Sequence, residues 1–104
     1  MNEHLIKSKN IELLPSKGFI IDDKIPTQSL VQKWLRDKHG INIFMSFKPN
    51  IKKWDYIPYY MEVNGREYLK YNSQYLKLHN GRRYDTYEDA LEDAIYEALH
   101  MIKN

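Results

Sequence analysis

The sequence predicts an α+β fold in which two amphipathic helices bracket a group of β-strands. Apolar residues recur at helical spacing over about 28–39 and 87–102, and the segment that follows the first of these alternates with period two. The predicted core is an α-β-β-β-α unit whose antiparallel sheet is packed by the two helices. Because 104 residues suit a single domain, we expect an arm or hairpin over 1–25 and the α-β-β-β-α domain over 26–104.

The first 25 residues show no sustained helical period. Two short apolar runs, at 11–14 and 19–21, flank the turn-forming sequence at 15–18. This arrangement predicts a short hairpin. The alternative is an arm that docks on the domain or stays mobile.

The first helix of the domain is predicted over 28–39. Thr27 can cap its start through the hydroxyl, and Gly40 suits the left-handed residue that ends many helices. Its apolar stripe contains Leu30, Val31, Trp34 and Leu35. We expect Trp34, in the middle of this stripe, to be largely buried, and Trp54, which follows two lysines, to be more exposed.

Two strands are predicted next, over 41–47 and 54–63. The first places Ile41, Ile43, Met45 and Phe47 on one face. The second contains Pro58, which predicts a sheet edge or a bulge because proline cannot donate to a ladder.

Asn64-Gly65 predicts a hairpin turn that leads into a third strand over 66–71. Its register stays open. A three-residue loop with a bulge would pair Glu62 with Arg66, and this is favoured over a two-residue loop that sets like charges opposite each other. Residues 72–84 are expected to form a fourth short strand or a loop.

Thr86 is the predicted cap of the last helix, over about 87–102. Four carboxylates occupy its first two turns, where the helix dipole favours negative charge: Glu88, Asp89, Glu92 and Asp93. The dipole accounts for them without a metal ion, so no metal site is predicted.

Composition excludes several kinds of chemistry. The chain has no cysteine, which removes disulfides, thiolate catalysis and cysteine zinc sites. Its four histidines have no metal-binding spacing, and no nucleophile elbow or phosphate-binding glycine loop occurs. We therefore predict no enzyme activity and no cofactor. The lack of a signal-peptide pattern or an apolar run of membrane-spanning length predicts a cytoplasmic protein with no membrane partner.

Charge is divided unevenly along the chain. From Lys33 to Arg83 there are eleven basic and four acidic residues, whereas from Asp85 to Glu97 there are six acidic residues and no basic one. The basic part predicts a nucleic-acid surface on the sheet and the 48–54 loop, formed by Lys48, Lys52, Lys53, Trp54, Arg82 and Arg83. The acidic part predicts a protein-binding surface formed by Glu88, Asp89, Glu92 and Asp93. A solvated face is the alternative in both cases.

The segment Pro26 to His39, with the sequence PTQSLVQKWLRDKH, resembles small proteins of unknown function encoded by phages and prophages of gut-type bacteria. The closing segment TYEDAL is similar to theirs and also to the helix start of HicB-type antitoxins. This resemblance implies a mobile-element accessory protein acting in a bacterial cytoplasm. The order of elements is similar to that of double-stranded RNA-binding domains, whose second helix begins with lysines where this chain has carboxylates.

The combined interpretation is a non-enzymatic accessory protein that binds a protein partner. The alternative function is nucleic-acid binding through the basic, aromatic surface. A homodimer is also possible, because a Tyr-rich sheet edge near Pro58 could pair with a second copy.

Overall fold

The computed structural model describes residues 4–60 and 83–102, and at 57–60 it describes the backbone alone. The elements are α1 (Ser8–Leu13), a 3-10 turn (Pro15–Lys17), α2 (Gln28–His39), β1 (Ile41–Lys48), β2 (Lys53–Tyr60) and α3 (Tyr87–Met101). Helices packed on an antiparallel pair of strands confirm the α+β class.

Helix α2 begins and ends where the sequence predicts. The Thr27 hydroxyl accepts a hydrogen bond from the Leu30 amide at 3.1 Å, and Gly40 ends the helix with φ of 65°. That backbone conformation is costly for residues with a side chain. Val31 and Leu35 are fully buried on the face that meets the core.

Strands β1 and β2 pair one to one, from Ile41 opposite Tyr60 to Lys48 opposite Lys53. A bulge would place two residues opposite one, so the register excludes the bulge alternative at Pro58, and the sheet-edge alternative stays a prediction. Three of the four residues predicted to share one face of β1 pack into or against the core: Ile41, Ile43 and Met45.

Helix α3 lies across the sheet and also contacts α1 and α2. Its inward face is formed by Ala90, Leu91, Ala94, Ile95, Ala98 and Leu99, all buried as predicted. Three of these side chains are alanines, which allow the helix backbone to approach its neighbours closely. Tyr56 of β2 is the largest fully buried side chain among the described residues.

The hairpin predicted near the N-terminus is wrong, because residues 8–13 form helix α1. The N-terminal segment (residues 4–17) docks on the domain, with Ile6 and Leu14 in the core. An antiparallel bridge between Leu5 and Thr27 fixes its start beside α2.

The expected contrast between the two tryptophans is not observed. Both Trp34 and Trp54 are half-buried and pack against the edge of the core. Leu30, assigned to the buried stripe, is 52% exposed. The face of α2 that packs against the core is therefore narrower than the predicted apolar stripe.

Several predictions lie outside the described residues. These are the end of the second strand, the turn at 64–65, the third strand at 66–71 and its register, and most of 72–84. No helix among the residues described is both long enough and apolar enough to cross a membrane.

Candidate functional site

The first turn of α3 is organised by its cap. The Thr86 hydroxyl accepts a hydrogen bond from the Asp89 amide at 3.0 Å, as the sequence predicts. Glu88 and Asp89 occupy this turn, where exposed backbone amides favour negative charge. The cap marks the start of α3, so these two carboxylates lie in its first turn.

Glu92 does not belong to an exposed acidic surface. Its side chain is inside the protein, with 3% of the residue exposed. The carboxylate accepts hydrogen bonds from the Lys7 amide at 3.0 Å, from Asn10 Nδ2 at 2.6 Å and from Gln28 Nε2 at 2.9 Å. These contacts correct the prediction that Glu92 faces a protein partner, because its acceptor sites already bind the chain's own donors.

The three other carboxylates meet the N-terminal segment. Asp93 forms an ion pair with Lys9, which also lies over the Tyr96 ring. Lys7 Nζ lies 3.6 Å from Asp89, and His4 Nε2 lies 3.4 Å from Glu88. The predicted acidic surface is thus largely covered by residues 4–10 of the chain's own N-terminal segment.

An open cleft of about 290 Å³ remains between the N-terminal segment and the start of α3. We call it the acidic cleft; its lining includes His4, Leu5, Lys7, Glu88 and Asp89. Glu88 and Asp89 keep side-chain exposures of 36% and 51% there. These two predicted protein-binding residues stay accessible, whereas Glu92 does not.

The predicted nucleic-acid residues gather near the turn between β1 and β2. Two of the cations are paired: Lys53 with Asp85, and Arg83 with Asp55 at 3.2 Å. Arg82 lies outside the described residues. Lys48 and Lys52 have no carboxylate partner among the residues described.

Trp54 packs against two aromatic rings in this region. Its ring centroid lies 5.0 Å from that of Phe47 and 5.1 Å from that of Tyr87, with an edge-on geometry in the second pair. Backbone hydrogen bonds in both directions join Trp54 to Tyr84. The tryptophan predicted to stack on bases therefore uses part of its surface inside the protein.

Residues 47–53, which we call the hairpin tip, expose apolar side chains beside Lys48 and Lys52. Phe47 is 44% exposed and Ile51 is 47% exposed. Ile51 was missed from the sequence because it lies in the turn, outside any periodic pattern. Phe47 is expected on the same face of β1 as Ile41, Ile43 and Met45, but it lies near the end of the strand, where it stays partly exposed.

No metal-binding arrangement is found in the described ranges 4–60 and 83–102. No three histidine, aspartate or glutamate side chains come together there as a metal site requires. His39 packs edge-on against Trp34 at 4.6 Å, and His100 Nδ1 lies 2.8 Å from the Tyr96 carbonyl oxygen. Burial lowers the pKa of His39, because the charged ring would lose water.

Comparison of the chain with protein families, with curated proteins and with solved structures finds no match.

Proposed function

We propose that this protein is a non-enzymatic binding module that recognises a partner protein through the hairpin tip. The single observation that carries the proposal is the exposure of Phe47 and Ile51 beside Lys48 and Lys52. Exposed apolar side chains rimmed by polar ones are typical of protein contact sites. The bacterial cytoplasm and the mobile-element role implied by the sequence resemblance fit this function and belong to the proposal.

The charge of the hairpin tip indicates the chemical character of the partner. Lys48 and Lys52 are two cations with no carboxylate partner among the described residues. Each can therefore form an ion pair with a carboxylate of a binding partner. An apolar side chain on the partner would cover Ile51. The tip therefore fits a protein segment that carries both carboxylates and apolar residues.

Carboxylates near the tip favour a protein over nucleic acid. Asp85 pairs with Lys53, and Asp55 pairs with Arg83. Their negative charges would repel phosphates at short range, and they neutralise two of the cations that a phosphate backbone would need. A protein segment with a few carboxylates has no such requirement for a continuous positive surface.

Selection from a phage-displayed library of random peptides tests this function. We expect enriched peptides to combine aspartate or glutamate with apolar residues. A fluorescently labelled copy of an enriched peptide should bind the wild-type protein. Its affinity for the variant Ile51→Ser/Lys52→Glu should be at least about tenfold lower.

The matched control is Ile20→Ser/Lys24→Glu, since Ile20 is 89% exposed and lies between α1 and α2. It makes the same chemical changes on a different part of the surface and should leave peptide affinity unchanged. Failure to enrich any peptide, or equal losses in both variants, would contradict recognition by the tip.

Nucleic-acid binding is the second candidate, and one observation favours it: Phe44, at 57% exposed, and Phe47, at 44% exposed, offer aromatic rings on the strand that ends at Lys48. Stacking on such rings favours single strands, whose bases are accessible. Labelled single-stranded DNA and RNA, titrated at about 50 mM salt, should then bind the wild type and not Lys48→Glu/Lys52→Glu. An unchanged anisotropy would remove this candidate and leave the protein partner.

A further inference from the structure

We infer that the hairpin tip binds a second copy of this chain, in the acidic cleft of that copy. The inference depends on the proposed function, because it names the partner of the same tip. It comes from two surfaces of opposite character on one molecule. The tip offers apolar side chains with two lysines, and the cleft offers an apolar side chain with two carboxylates.

The cleft has the chemistry that the tip requires. Leu5 lines it and is 52% exposed, which gives an apolar wall. Glu88 and Asp89 line it as well, with their carboxylates accessible to solvent. A volume of about 290 Å³ accommodates one large side chain such as Ile51 of another copy.

The polar contacts already present in the cleft do not prevent this binding. Lys7 lies 3.6 Å from Asp89, and His4 lies 3.4 Å from Glu88, all with partly exposed side chains. Exposed pairs of this kind contribute little stability. An incoming lysine can therefore replace Lys7 or His4 at small cost, whereas the buried contacts of Glu92 stay in place.

Both surfaces border the first turn of α3, which allows the contact to close into a dimer. Lys53 at the tip pairs with Asp85, and Thr86, the next residue, lines the cleft. With a two-fold axis near this turn, the hairpin tip of each copy would bind in the acidic cleft of the other copy. Two small contacts predict a weak dimer that forms with rising concentration and weakens with salt.

Sedimentation equilibrium of the full chain gives the first test. The weight-average mass should rise from the 12.6 kDa of one chain towards twice that value as the protein is concentrated to about 500 μM at low salt. The self-association constant should be at least about tenfold lower for the variant Lys48→Glu/Lys52→Glu, and likewise for Glu88→Lys/Asp89→Lys. The matched control Lys24→Glu/Lys38→Glu changes two exposed lysines elsewhere and should associate like the wild type.

Mixing the two charge-reversed variants gives the decisive test. Alone, each presents like charges at every tip-to-cleft contact; together, the acidic tip of one meets the basic cleft of the other. We expect the mixture to recover a one-to-one complex. Circular dichroism melts check that each variant is folded, and Glu88→Lys alone replaces the cleft variant if the double change unfolds it.

A wild type that stays monomeric throughout this concentration range would overturn the inference. So would association that both charge reversals leave unchanged, or a mixture that fails to recover. Each result is separate from the proposed function: a monomeric protein whose tip still binds acidic, apolar peptides keeps its protein-binding role and lacks only the second copy as partner.

Discussion

At the scale of single residues, the Glu92 side chain joins α3 to the N-terminal segment and to α2. Its carboxylate accepts from Lys7 and Asn10 of the N-terminal segment and from Gln28 of α2. Asn10 also donates to the Glu92 backbone carbonyl at 2.9 Å. Buried donors without an acceptor are costly, so these contacts depend on one another.

Replacing Glu92 with glutamine tests this dependence. The new amide group presents hydrogens where the carboxylate accepted them, so at least one buried donor loses its acceptor. We expect a loss of about 1–3 kcal/mol in unfolding free energy, measured by urea melts. The control Glu88→Gln makes the same change at a partly exposed ion pair and should cost less than about 0.5 kcal/mol. Equal effects at the two positions would contradict a buried role for Glu92.

His39 predicts a dependence of stability on pH. Burial lowers its pKa in the folded protein, so the unfolded chain takes up the proton more readily. The contribution of His39 to stability is therefore complete above the unfolded value of about 6.5, and it is lost as the pH falls towards the folded value. In urea melts at about pH 7.5 and 5.5, the variant His39→Gln should lose less stability on acidification than the wild type. The same loss in both proteins would show that His39 is not responsible.

At the scale of elements, the ends of α2 and α3 are defined by side chains next to them in sequence. Thr27 and Thr86 each bind the amide three residues ahead, at 3.1 Å and 3.0 Å. Helix α1 has no such side-chain cap and contains six residues. A helix this short is marginal alone, so α1 depends on its packing against α3.

Removing the cap of α3 should measurably destabilise the protein. Thr86→Ala leaves the Asp89 amide without its acceptor, and we expect a loss of about 1 kcal/mol in unfolding free energy. Thr86→Ser keeps a hydroxyl at the same place and serves as the control. If alanine and serine give the same thermal stability, the hydroxyl contact does not stabilise the helix.

At the scale of the whole molecule, the N-terminal segment is part of the core. Ile6 is 3% exposed and Leu14 is fully buried, and both lie in the same cluster as residues of α2, both strands and α3. The two ends of the described chain therefore stabilise each other. We expect unfolding to be a single cooperative transition, as small domains usually show.

Truncating Ile6 tests whether the segment belongs to that cooperative unit. Ile6→Ala should cost about 2–5 kcal/mol, because it removes buried methyl groups and leaves a cavity. Ile20→Ala is the matched control; its side chain is 89% exposed, and its effect should stay below about 0.5 kcal/mol. An early, separate transition for the segment, or a small effect at Ile6, would show that it docks only loosely.

The candidate site was predictable only in part. Sequence placed Lys48, Lys52, Lys53 and Trp54 together, because a turn between two strands brings neighbouring residues together. It did not show that Lys53 pairs with Asp85, 32 positions along the chain. Such long-range pairs decide which of the cations stay available to a partner.

The sequence by itself determined the α+β class, helix α2 with its Thr27 cap and Gly40 end, strand β1 and helix α3. These features depend on residues that lie within a few positions of each other, so their pattern can be read along the chain. Only the tertiary structure decided that residues 8–13 are helical and that Glu92 is buried. A six-residue helix has too few turns to show a period, and a carboxylate is buried only where donors from distant segments meet it.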